Sequence, residues 1–103
     1  MINVIATISL KPDTRVEFLK VFNSNVPAVL AEEGCIDYFP AVDVEANLDA
    51  QEKDENAVVV IEKWESLEAL HAHLKAPHMD EFREKAGAMI AGISLKVLEA
   101  QTA

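Results

Sequence analysis

The chain has 103 residues, half of them apolar, and its 18 acidic side chains outnumber nine basic ones to give a net charge of −9. That surplus of negative charge excludes a nucleic-acid binder, which must neutralise phosphates, and argues equally against an anionic membrane surface. The length predicts one domain over 1–103, only marginally stable alone, so self-association would help it.

A single cysteine, Cys35, allows no internal disulfide and suits a reducing compartment. The start "MINVIATISLKPD" has no basic stretch ahead of an apolar one, and no apolar run approaches the ~20 residues of a membrane span. A soluble cytoplasmic protein, with no membrane insertion, is therefore expected.

In "INVIATISL", residues 2–10, Ile2, Val4, Ala6, Ile8 and Leu10 alternate with mostly polar neighbours, which predicts a half-buried strand. The period then changes: Val16, Leu19, Phe22, Val26, Val29 and Leu30 recur at helical spacing. Thr14 and Glu17 have capping-box spacing, with Asp13 as a competing cap. Pro27 inside the run predicts a kink near 23–27 or a break into two helices, and Gly34 a C-terminal stop.

"CIDYFPAVDVE" reads as a second strand, where Pro40 points to an edge or a bulge. "ANLDAQEKDEN" reads as a solvated loop at a hairpin end. "AVVVIEKWE" is a third strand, apolar on both faces from Val58 to Ile61, so both faces require cover. Helices of this chain can cover one of them. A second copy, packed sheet against sheet, is the expected cover of the other.

Ser66 is placed to cap a short helix, "LEALHAHLK", and Pro77 to open another, "PHMDEFREKAGAM". "ISLKVLEA" closes as a fourth strand. Strand, helix, strand, strand, helix, strand is the split βαβ order of ferredoxin-like α+β folds: an antiparallel sheet with helices on one face.

All three histidines, His71, His73 and His78, lie between Ile61 and Phe82, close behind the only tryptophan, Trp64. His71 and His73 diverge by about 200° on a helix, so they do not converge on one ion, and no HExxH pattern or cysteine pair occurs. No metal site is expected. Leu67, Leu70 and Leu74 form the apolar stripe of the short helix, and either His71 or His73 could be a boundary residue beside it. His78 lies in a helix first turn, where the dipole favours a neutral imidazole. A break between the two helices would let His73 and His78 face one cleft as a proton-transferring pair. Glu62 and Trp64 share a strand face, and a glutamate on so apolar a strand needs a partner or carries a raised pKa. Tyr38 is either core or a phenol aimed into a pocket. No nucleotide or cofactor fingerprint is present, so any chemistry would come from side chains, substrate and oxygen.

"VLAEEGCIDYFPAVD" together with "VVIEKWESLEALHAHLKAPHM" resembles the antibiotic biosynthesis monooxygenase (ABM) domain family, and most of all its bacterial quinol monooxygenases. The resemblance implies a ferredoxin-like domain that dimerises through its sheets into an α+β barrel. It also implies oxidation of a menadiol-like quinol or polycyclic phenol by O₂, with no cofactor. The family pattern falls on Glu62, Trp64, His73 and His78, with Tyr38 from the second strand. His73 is then the expected base and His78 its orienting or proton-relaying partner, while Tyr38, Glu62 and Trp64 are expected to bind substrate. Because one fold hosts many activities, alternatives stay open. They are an isomerase of a small phosphorylated signalling ketone, haem degradation, and a non-catalytic quinone- or flavin-binding dimer.

Overall fold

The computed structural model describes residues 1–102 of the chain. In chain order it contains β1 (Ile2–Leu10), α1 (Arg15–Leu30), β2 (Cys35–Ala41), β3 (Ala57–Trp64), α2 (Leu67–Leu74), α3 (Pro77–Ala86), a 3-10 turn at Gly87–Met89 and β4 (Ile90–Leu98). The sheet order is β2-β3-β1-β4 with every neighbouring pair antiparallel. This is the ferredoxin-like α+β fold that the order of elements predicts, and β2, the strand with Pro40, lies at an edge where a missing N–H is tolerated.

Register explains the core. Ile2, Val4, Ala6 and Ile8 of β1 lie opposite Trp64, Glu62, Val60 and Val58 of β3, so one face of the central pair is apolar except for Glu62. Phe18 and Phe22 of α1 and Phe82 of α3 close over that face. Phe82 meets both edge-on, at centroid distances of 6.0 and 5.6 Å, and Phe22 stacks on Tyr38 of β2 at 5.4 Å. Each buried aromatic of this kind contributes about 1.5–3 kcal/mol through burial, and each well-placed ring pair about 0.5–1.5 kcal/mol more.

Some local expectations need correction. Thr14 stands at the α1 N-cap position, but its backbone is already helical, so its hydroxyl cannot reach forward and instead donates to the Lys11 carbonyl at 2.7 Å. The turn before it is made by Asp13 at φ 64. Pro27 does not split α1: it sits in the last turn, where it removes one backbone donor shortly before the helix ends at Ala31. Gly34 serves the turn into β2 rather than the helix stop. Its φ of +83 is left-handed, and a Cβ there would lie 2.6 Å from the Cβ of Ala69 in α2. In α2 the stripe is narrower than expected: Leu70 and His73 are buried, whereas Leu67 and Leu74 are exposed.

The caps of the second helical region match the sequence reading. Ser66 accepts from the Ala69 N–H at 3.1 Å, and Pro77 occupies the first turn of α3. The break between α2 and α3 turns His73 and His78 toward the end of α1, and this positions the site.

Candidate active site

Three elements meet where α1 ends. Glu32, just past α1, is half-buried and receives two imidazoles on one oxygen: Nδ1 of His73 at 2.8 Å and Nε2 of His78 at 3.0 Å from Oε2. The other nitrogen of His78 faces Oδ1 of Asn25 at 3.2 Å, and Asn25 in turn donates to the Met79 sulfur at 3.4 Å. Neither Glu32 nor Asn25 was singled out from sequence. Helical spacing could not have paired them, because Asn25 lies within α1 and Glu32 lies beyond its end.

His73 is 3% exposed and wedged between aromatic rings, with Trp64 at 4.7 Å and Tyr38 at 5.5 Å between centroids. Burial pushes its pKa down, and the hydrogen bond and charge of Glu32 oppose that shift. The ring is therefore neutral at pH 7. With Nδ1–H donated to a carboxylate, the lone pair sits on Nε2. This carboxylate–imidazole arrangement fixes the tautomer as it does in catalytic triads.

His73 lines a cavity of about 190 Å³ together with Tyr38, Glu62, Phe22, Phe82 and Leu95. The cavity exists because the helices stop short of β4, whose Ile93, Leu95 and Val97 point to the helix side yet stay about half exposed. Glu62 and Tyr38 are direct partners across β2 and β3, so both side chains enter from the floor. Burial raises the Glu62 carboxyl, while the Trp64 indole donates to its Oε1 at 3.0 Å and holds it back. Burial first, then the charges of Glu62 and Glu32, pushes the Tyr38 phenol well above its ordinary value, so it remains a donor. A second cavity of about 180 Å³ adjoins the first at Glu62, Leu74 and Leu95 and carries the exposed His71 on its wall.

The expected residues are thus brought together in an altered arrangement. Trp64 is wholly buried and does not line the cavity; it backs His73 and anchors Glu62. His73 and His78 do not share a cleft. They share a carboxylate, and His78 lines a separate recess with Ser24, Asn25, Glu81 and Lys85. Cys35 is inert: burial and the nearby carboxylates push its thiol up to about 11. Among the described residues, no three His, Cys, Asp or Glu side chains are grouped to hold a metal ion, and no helix is long and apolar enough to cross a membrane.

Residues 1–85 match the family model described as antibiotic biosynthesis monooxygenase. The chain belongs to this family. It is 38% identical over 101 residues to the "Probable quinol monooxygenase YgiN" of Escherichia coli strain K12, covering 96% of this chain and 97% of that protein. Two solved structures share the fold. One is an antibiotic biosynthesis monooxygenase, at TM-score 0.82 and 24% identity over 99% of this chain and 100% of that one. The other is a conserved protein from Methanosarcina mazei Go1, at TM-score 0.82 and 23% identity over 97% of this chain and 92% of that one. Membership supports a monooxygenase-type function, and β2, β3, α2 and all but the last residue of α3 fall inside the matched segment.

Proposed function

We propose that this ABM-family chain is a cofactor-independent quinol monooxygenase, taking a menadiol-like hydroquinone or a polycyclic phenol and O₂. The observation that carries the reading is His73, a neutral imidazole with its tautomer set by Glu32, on the wall of a mostly apolar cavity. A neutral quinol is a poor electron donor to O₂ and its anion a good one, so a base that removes the phenolic proton activates the substrate. An apolar cavity admits O₂ and excludes water. Nε2 of His73 takes the proton. The Tyr38 hydroxyl donates to a substrate oxygen, and Glu62, held by Trp64, faces the same ring.

Electron flow balances in either of two outcomes. Quinol plus O₂ gives quinone plus hydrogen peroxide. Alternatively one oxygen atom enters the ring, giving a hydroxyquinone plus water. Mass spectrometry of product formed under ¹⁸O₂ separates the two.

The phosphorylated-ketone reading needs a free cation at the cavity. Arg83 lines it, but its guanidinium is engaged by Asp80 at 2.9 Å and by the Leu74 carbonyl at 2.8 Å. The working unit in this proposal is a homodimer, with a second copy packed on the outer face of the sheet, in the cytoplasm.

The test is O₂ uptake by metal-stripped protein given menadiol, corrected for autoxidation, with His73→Ala beside it. Loss of a general base predicts a fall in kcat of about 10²–10⁴-fold. A folded His73→Ala protein that turns over at the wild-type rate overturns the assignment.

A further inference from the structure

We infer that Glu32 and His78 form a proton outlet that connects the buried base to solvent on the far side of the α1–α3 contact. The inference rests on His73 being the base of the proposed reaction.

The geometry is a continuous chain of polar contacts within hydrogen-bond distance. From the cavity it runs through His73 Nδ1 to Glu32 Oε2 at 2.8 Å, on to His78 Nε2 at 3.0 Å, and ends where His78 Nδ1 meets Asn25 at 3.2 Å. Its two ends differ in exposure. The His73 side chain is 3% exposed, whereas that of His78 is 25% exposed and lines a recess whose walls are mostly polar. The facing groups there are Ser24 and Asn25 of α1 and Glu81 and Lys85 of α3. A tie needed only to hold α1 against α2 and α3 would not require two imidazoles in series on one carboxylate oxygen.

The chemistry calls for such a path. Oxidation of a quinol by O₂ consumes no net proton, but its timing is uneven. A proton leaves the phenol before the electrons move, and the reduced oxygen collects protons afterwards. His73, once protonated, is an imidazolium buried among aromatic and apolar groups, which is costly unless the charge moves on. Taking a proton at Nε2 lets Nδ1 pass its own to Glu32. Glu32 hands one to His78 Nε2, which accepts it in the tautomer whose Nδ1–H donates to Asn25, and His78 releases the Nδ1 proton at the recess. The same path run inward supplies the reduced oxygen. Each proton that enters is matched by one that leaves, so the chain returns to its starting state after each turnover.

The decisive variant is His78→Asn, whose shorter amide stands at the position of Nδ1, beside Asn25, and cannot relay. With menadiol, kcat should fall about tenfold or more with KM little changed, and added imidazole should restore it in proportion to its concentration. A structural tie would show the opposite pattern: near-normal kcat in His78→Asn, or a loss that imidazole does not restore. A second readout needs no turnover. In protein labelled with ¹⁵N-histidine, solvent exchange of the His73 Nδ1 proton should slow several-fold in His78→Asn. Unchanged exchange overturns the outlet, whatever the substrate. Slowed exchange in a protein that oxidises no quinol would uphold the proton path and sink the proposed reaction instead. If His78→Asn does not fold, Glu32→Gln carries the same two measurements.

Discussion

The two faces of β3 are built from the same alternating strand and have opposite fates. On the helix side Val58, Val60, Glu62 and Trp64 are buried, under α1, α2 and α3 or at the floor of the cavity. On the other side Ile61 lies between Ile5 of β1 and Phe39 of β2, and Val59 between Thr7 and Ala41, both only partly covered. A strand with one wet face would carry polar residues there. The covered face holds the candidate site and the open face is apolar, so the difference separates residues that build the site within one chain from residues that the proposed second copy would cover. Substitutions on each face should therefore differ in kind.

The largest effect is expected on the covered face. Trp64→Ala removes the largest wholly buried side chain, the platform behind His73 and the donor to Glu62. It should destabilise the fold by about 3–5 kcal/mol, read as a lower midpoint in urea unfolding. Trp64→Phe keeps the ring but loses the indole N–H. It should retain most of the stability while freeing Glu62, so a similar loss for both variants would contradict the anchoring role.

Next comes Gly34→Ala, in the turn between α1 and β2. A Cβ there meets Ala69 at 2.6 Å on a left-handed backbone, so both strain and clash apply. A loss of about 1–3 kcal/mol is expected. Because that shift would move α2, the proposed quinol oxidation should fall in step. A variant of wild-type stability and activity would show that the turn relaxes freely.

Much of this arrangement was legible in the sequence because period, caps and breakers are local. The alternation from Ile2 to Leu10, Pro40 on an edge strand, Ser66 and Pro77 at two helix starts, and the shared face of Glu62 and Trp64 all follow from neighbours a few positions away. Glu32 was not legible. It stands beside Glu33, with nothing in type or charge to separate them, yet one is half-buried under two histidines and the other exposed. Which glutamate turns inward depends on where α1 ends and on the left-handed turn at Gly34, and both are set by packing against α2. The same long-range packing decided that His73 and His78 meet through a carboxylate rather than across a cleft.

Acid sharpens the chemistry of the covered face. Burial lowers the folded-state pKa of His73 below its ordinary 6.5, so its contribution to stability is present above that value and is lost as pH falls through the folded pKa. Burial raises Glu62 above its ordinary 4.5, and the sign reverses: its contribution is present below that value and is lost as pH rises through the folded pKa. Glu62→Gln should therefore gain relative stability toward neutral pH, and His73→Gln should lose less than wild type below pH 6.5. Urea midpoints measured across this window would show the two variants diverging in opposite directions. Parallel curves would mean that neither group is buried in the ionisation state assigned here.

The smallest effect on the fold itself is expected on the open face. Phe39 of β2 is 39% exposed, lies opposite Ile61, and has no helix of its own chain to touch on that side. In an isolated chain Phe39→Glu is a surface substitution, within about ±0.5 kcal/mol. In the proposed homodimer it places a charge, or two related by symmetry, inside an apolar sheet-to-sheet contact, where an unpaired carboxylate is strongly disfavoured. The expected result by light scattering is a dimer for wild type and a folded monomer for Phe39→Glu. Urea unfolding then adds information that mass alone does not, because a dimer's midpoint rises with protein concentration and a monomer's does not. A Phe39→Glu protein that stays dimeric with the wild-type concentration dependence would mean that the second copy sits elsewhere. The bare apolar residues of β4, which border the cavity, would then be the surface to test.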